Sequence, residues 1–445
     1  MTEVARPVQS ELEQVVGQAL ALARRRGASA AEAGVSVASG LSVTVRLGEV
    51  ETLEYQRDRS LGVTVYVGQR KGSASTANLT SSAVEETVAE ALSIASFTAE
   101  DEFAGLPDAA LMACELPDLD LFHPWEIEAT EAIGLAKKCE AAGLAVDPRI
   151  RNSEGASVST HRKLRVFGNS HGFVGGYPST AHSVSCVVLG QSDGDMERDY
   201  WYTAARDWRA LEDIEDVGRK AAARALSRLG ADKLTTRKAP VLFAPELARG
   251  LISHFTGAIG GAAQYRRSSF LLDAAGQAIF PPAISLAERP HLPGALGSAP
   301  FDGEGVATRD RDLVVDGVLT GYVLDAYSAR KLGLSTTGNA GGVHNLVVLG
   351  ETLDSGALLR RLGTGLLVTE MMGQGVNPVT GDYSRGATGF WVEGAVVGRP
   401  VHEITVAGNL RDMYRGIVAL GDDMDCRGAI HCGSMLIEQM TIAGG

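Results

Sequence analysis

Polar and apolar positions alternate with a period of two over long stretches of the first half of the chain. Val43, Val45 and Leu47 keep that period, as do Leu61, Val63, Val65 and Val67, the mark of strands with one covered face. The runs Gly34–Ala38, Leu41–Leu47, Val50–Tyr55, Leu61–Val67 and Gly72–Ala77, joined by short polar links, predict an antiparallel meander. Helical spacing frames it. Val8–Arg26 puts Leu12, Val15, Val16, Ala19, Leu22 and Ala23 on one face and stops at Gly27, and Ser82 with Glu85 has capping-box spacing ahead of a helix ending near Ser96. Phe97–His123, with Pro107 and Pro117, reads as a linker. A helix over Pro124–Ala142, strand-like runs through Ile150–Trp208 and a helix over Leu211–Leu229 then repeat the helix–strands–helix layout, without a repeat at residue level.

Near the middle lies a different pattern. In Pro245–Ala262, Leu247, Leu251 and Phe255 recur every four residues with Ile252 and Ile259 beside them, and no formal charge occurs from Gly250 to Tyr265. The stretch is too short and Gly-rich to span a bilayer, so it predicts a core helix. Gly250, Gly257, Gly260 and Gly261 each cost about 1 kcal/mol relative to Ala in a helix interior, which suggests close packing of a backbone or a ligand. Beyond it, Asp316-Gly317 between Leu313–Val315 and Val318–Val323 predicts a tight hairpin. Further expectations are a short helix over Ala326–Leu332, strands at Leu346–Leu349, Leu366–Thr369, Gly389–Val397 and Val401–Val406, and a helix Asn409–Ala419 capped by Asn409. A long polar loop, 373–387, holds Gln374, Asn377, Asp382, Tyr383 and Arg385 as candidates for substrate or interface contacts. The reading is an α+β fold with domains at 1–118, 119–232 and 233–445, the last rich in strands.

Composition narrows the function. The 445 residues, 45% hydrophobic and 21% charged, suit a soluble globular protein. A net charge of −13 argues against a nucleic-acid partner. Five cysteines without a C-x-x-C pattern suit reduced cytosolic thiols, and a polar, acidic beginning without an apolar run suggests neither a signal peptide nor membrane association.

Local chemistry is sparse. Gly168-Asn169-Ser170-His171-Gly172 matches a nucleophile elbow but lacks a following helix, so a serine hydrolase is a distant alternative. His402-Glu403 starts an H-E-x-x-H pattern that position Val406 breaks. His161, His171 and His182 stand about ten residues apart on successive strands, His431 adjoins Cys432, and Asp422, Asp423 and Asp425 lack calcium-loop spacing.

The last third carries longer signals: TEMMGQGVNPVTGDYSRGATGFWVEG, EITVAGNLRDMYRGIVALG and IHCGSMLIEQMTIAG, supported by YRRSSFLLD at 265–273 and NSHGFVGGYPSTAHSVSC at 169–186. These resemble the TldD/PmbA family, also called modulators of DNA gyrase, and within it the PmbA (TldE) branch. The resemblance implies cytosolic zinc metallopeptidases linked to microcin leader removal and antitoxin degradation. In the TldD branch a helix carries His-Glu-x-x-x-His, with a later Cys as third ligand. An ungapped match anchored on Tyr265-Arg266-Arg267 puts Ser253, His254 and Ala258 at the three motif positions, with Cys432 at the possible fourth. The resemblance therefore implies no metal and no catalytic residue in this chain, zinc in a TldD-type partner subunit, unfolded peptides as substrates, and room for a homodimer when the chain is alone. A non-enzymatic scaffold or regulator is the rival reading.

Overall fold

The computed structural model describes residues 5–192 and 194–444. Helix α1 (Ala5–Arg25) leads into β1 (Ala30–Arg46), β2 (Glu49–Val67), β3 (Arg70–Thr76) and α2 (Ser81–Phe97); α3 (Ala129–Leu144) leads into β4 (Ile150–Asn169), β5 (Val174–Ser192), β6 (Asp195–Ala205) and α4 (Ile214–Arg228). The six strands form one antiparallel sheet in the order β3-β2-β1-β4-β5-β6, so both helix–strands–helix units share a sheet across the β1–β4 pairing. All four helices cover the same face. Ala31, Ala33 and Val35 of β1 pack with α1 and α2, while Leu41, Val43 and Val45 of the same strand pack with α3 and α4. On the opposite face Phe167 meets Phe173, Phe301 and Val306, which ties the sheet to the later part of the chain.

The expected meander of short strands is corrected here. Gly34–Ala38 and Leu41–Leu47 belong largely to one strand, and Val50–Tyr55 and Leu61–Val67 to another. Pairing with β2 on one side and β4 on the other carries β1 through Ser39-Gly40. The polar run Gln56–Ser60 lies in a strand exposed on both faces, so its polarity marks solvent, not a turn. The Ser82/Glu85 box is likewise not formed: the cap residue is Thr80, without a side-chain cap bond.

Helices α3 and α4 cross at two glycines. A Cβ on Gly218 would lie 2.0 Å from the Cys139 carbonyl oxygen, in backbone that cannot swing away. Gly218→Ala is expected to destabilise the protein by about 1–3 kcal/mol through overpacking. Gly134→Ala, in α3 with nothing within 4 Å of the new methyl, is expected to stabilise it by about 0.5–1 kcal/mol. Urea titration of the two variants checks the contrast.

The remainder runs β7 (Arg237–Phe243), α5 (Pro245–Ala258), α6 (Gly261–Tyr265), β8 (Ser285–Glu288), β9 (Arg311–Val315), β10 (Val318–Leu319), α7 (Ala326–Lys331), β11 (Leu346–Leu349), β12 (Thr352–Leu353), α8 (Ser355–Leu362), β13 (Gly365–Met372), β14 (Asp382–Glu393), β15 (Val396–Asn409), α9 (Leu410–Arg415), β16 (Ile417–Gly421), β17 (Ile430–His431) and β18 (Met435–Ala443). Strands β7, β13, β14, β15 and β18 pair in succession, and β18 pairs back onto β7, closing a ring. A second sheet, β10-β9-β8-β11-β17, holds the expected Asp316-Gly317 turn, with φ of 47° and 78° as a type I′ turn requires. The fold is α+β with a strand-rich last part. Among the described residues no helix is long and apolar enough to cross a membrane.

Candidate functional site

Helix α5 is the centre of the candidate site. Pro245 occupies its first turn, and Glu246 there is held by Arg224 at 2.9 Å. Leu251, Ile252, Phe255 and Ile259 are buried as their spacing predicts. The helix ends earlier than expected. Gly261 donates to the Val323 carbonyl at 2.8 Å and Val323 donates to Ile259 at 3.1 Å, so a β-type bridge replaces the helical bonds and α6 restarts at Gly261. Of the four glycines only Gly261 is demanded by a neighbouring element, since a Cβ there would come 2.1 Å from Ser328 Oγ; Gly250 and Gly257 have open space.

The residues at the motif positions do not form a zinc donor set. Ser253 faces solvent and His254 is half-buried. Ala258 is buried, and its carbonyl accepts from Gln264 Nε2 and Ser269 Oγ, each at 2.7 Å. Cys432 is buried with its thiol donating to the Gly433 carbonyl at 2.9 Å, and burial pushes the thiol pKa up, away from the thiolate a metal needs. Among the described residues no group of three or more His, Cys, Asp and Glu is placed to hold a metal. One imidazole, one alcohol and one buried thiol do not fit zinc.

Instead, His254 meets the polar loop. Its ring lies edge-on to Tyr383, centroids 6.2 Å apart. Burial, and then the Arg385 charge, lowers the His254 pKa, so the imidazole is held neutral. Burial raises the Tyr383 hydroxyl to about 12 against the opposing pull of Arg385. Tyr383 and Arg385 are in β14, so the connecting loop is shorter than 373–387 and spans only 373–381. It is tightly bonded. Asn377 Oδ1 accepts from Val379 N at 2.9 Å, Asp382 accepts from the Thr380 hydroxyl at 2.6 Å and from Asn409 at 3.2 Å, and Arg385 Nε donates to the Gly373 carbonyl at 3.0 Å. Asn377 and Asp382 therefore build the turn, while Gln374 is exposed.

The other sequence candidates are dispersed. Ser170 sits in the turn between β4 and β5, its hydroxyl accepting from Ala31 N at 3.0 Å, while neighbouring His171 bonds the Pro107 carbonyl at 3.0 Å. His182 lies between Thr160 Oγ1 at 2.9 Å and the His123 carbonyl at 2.8 Å. His161 is in register with Ala181, so its side chain and that of His182 point to opposite faces. His402 lies 3.4 Å from Glu197, and His431 bonds the Gly428 carbonyl at 3.2 Å. Asp423 bonds the Ser434 amide and hydroxyl, and Asp425 pairs with Arg249 and Arg427.

Two features escape the sequence. One is a buried charge cluster joining β6, α4, α5 and β13. Arg228 pairs with Glu197 and Asp199, both at 3.3 Å, and with Glu370; Arg224 bridges Asp199 and Glu246. The other is Glu304. It borders a cavity of about 320 Å³ lined also by Tyr66, Lys71, Tyr327 and Arg330, and burial raises its pKa to about 7. Neither has a local signal, because each depends on residues far apart in the chain.

Comparison with known proteins places these features in context. Residues 31–95, 122–229 and 236–444 match, in order, the PmbA/TldA metallopeptidase domain 1, central domain and C-terminal domain. The Metalloprotease PmbA of Escherichia coli O157:H7 is 52% identical over 433 residues, 97% of this chain and 96% of that protein. A Bacteroides thetaiotaomicron crystal structure named for a modulator of DNA gyrase superposes with a TM-score of 0.93 at 29% identity, covering 98% of this chain and 99% of that one. TldE from Thermococcus kodakarensis shares the fold, with a TM-score of 0.82 at 20% identity over 97% of this chain and 100% of that one.

Proposed function

Since the chain belongs to the PmbA/TldD metallopeptidase family, we propose that it is the TldE-type subunit of a cytosolic heteromeric zinc peptidase, in which a TldD-type partner supplies the metal and the general base. The observation that carries this reading is the chemistry at α5. Ser253, His254, Ala258 and Cys432 cannot together bind zinc, and no glutamate stands at a motif position to activate water. The chain's own contribution is then to binding. The half-buried His254 imidazole and the Arg385 guanidinium, backed by the buried ring of Tyr383, lie beside the 373–381 loop and are suited to hold an extended peptide by its backbone and a carboxylate. Unfolded peptides are the substrates, of which microcin leaders and antitoxins are the kinds implied by the resemblance. Gln374 and the loop face the cleft or the partner.

Purified alone, the chain is expected to carry only trace zinc by mass spectrometry and to leave unfolded peptides intact. Adding a TldD-type chain should yield a complex with both zinc and cleavage. Stoichiometric zinc and activity in the lone chain would refute the assignment, and a complex without any gain in cleavage would favour a scaffold.

A further inference from the structure

Strand β16 is bare along part of one edge. On one side β18 pairs with it from Ile417 to Leu420. On the other, β12 pairs only with Leu420 and Gly421. The chain enters β12 from β11 of the second sheet through Gly350 and Glu351, so among the described residues no strand lies beside 417–419. That leaves about 10 Å of open edge at the usual strand rise. The edge borders a cavity of about 550 Å³ between β16 and the 281–284 segment. Ile284, Leu353 and Val418 give the cavity an apolar floor, and Arg361 of α8 and Arg415 of α9 line it.

Both arginines are exposed, and neither side chain has a hydrogen bond or an ion pair among the described residues. Each stands in the last turn of its helix, where a positive charge is favourable. That favours a base at each place but does not bring the two to one cavity. The acid on the lining, Glu351, is exposed and unpaired as well, so it holds neither arginine.

We infer that this groove takes an extended acidic peptide, which adds to the bare edge of β16 as a short strand and sets its carboxylates on Arg361 and Arg415. An open strand edge recognises backbone, which selects a peptide over a compact anion. Guanidinium groups without acid partners select carboxylates, which they bind through paired N–H donors. Successive side chains of a strand point to opposite faces, so alternating acidic and apolar residues would meet the arginines and the floor in turn. None of these residues belongs to the site at α5, so the inference stands apart from the assignment proposed above.

Fluorescence anisotropy of a fluorescein-labelled, amidated peptide of alternating glutamate and valine, titrated with the full chain, tests this. The peptide is expected to bind about tenfold more tightly than its lysine–valine counterpart. Arg361→Glu and Arg415→Glu should each weaken binding about tenfold, with unchanged circular dichroism. Glu351→Gln, which removes a competing carboxylate, should strengthen it. N-methylation of the peptide backbone, which removes strand hydrogen bonds and no charge, should weaken it. Equal binding of the two peptides, or binding indifferent to both arginines, overturns the inference. So does binding that survives backbone methylation, which would be charge attraction alone, and so does a loss that follows Arg385→Glu instead, which would put the peptide at α5.

Discussion

Replacing Arg228 by methionine is expected to lower the stability by about 3–5 kcal/mol, the usual consequence of removing one partner from a buried ion cluster. Arg228 is 5% exposed at the end of α4, with Glu197 and Asp199 each at 3.3 Å and Glu370 bonded from β13. Burial opposes its charge, and the three carboxylates outweigh that, so its pKa rises. Methionine keeps most of the packed stem but leaves the acids facing one another. Glu370 is the most exposed of the three and recovers water first, so most of the loss falls on Glu197 and Asp199. Urea titration read by tryptophan fluorescence, to which Trp201 beneath Arg224 and Arg427 contributes together with the other three tryptophans, measures the loss. Adding Glu197→Gln and Asp199→Asn to the methionine variant should recover part of the loss. A loss below about 1 kcal/mol would mean that water already solvates the acids.

Tyr414→Ala is expected to cost a further large amount, about 3–5 kcal/mol. Its ring is wholly buried among Phe255, Phe280 and Phe270, with centroids at 6.0, 5.0 and 6.3 Å. Its hydroxyl donates to the Leu251 carbonyl of α5 at 2.8 Å. Tyr414→Phe should cost only about 0.5–1.5 kcal/mol, because the ring contacts stay and one hydrogen bond goes. The ratio of the two losses, from denaturation midpoints, separates packing from the bond. Equal losses would show that the bond to α5, and not the aromatic cluster, holds the helix against the ring of strands.

The α5 stripe, the Asp316-Gly317 turn and the Asn409 cap, which accepts from Arg411 N at 3.1 Å, were legible because each is local in cause. The helix expected to run to Ala419 stops at Arg415, since Ile417–Leu420 pair with β18 instead. Pairing across the chain overrode a helical pattern there, as pairing with β2 and β4 carried β1 through Ser39-Gly40. At the candidate site, the placement of His254 beside Tyr383 was hidden in the same way: the two are close only because the start of β14 brings Tyr383 up to α5. The family motifs pointed to both segments without saying that they touch. The salt bridge from Arg228 to Glu370 spans 142 residues of sequence, and no pattern in either neighbourhood announces it.

The closing pair of the strand ring, β7 with β18, has a consequence for the order of events during synthesis. Strand β7 is made first and β18 last of the five, with Arg237 finally opposite Ile442. Until Met435–Ala443 emerges, β7 has one edge unsatisfied and β15 lacks its neighbour. Contacts of such long sequence separation form slowly, so this half of a nascent chain stays open, and exposed to chaperones and proteases, after the earlier sheet is already complete.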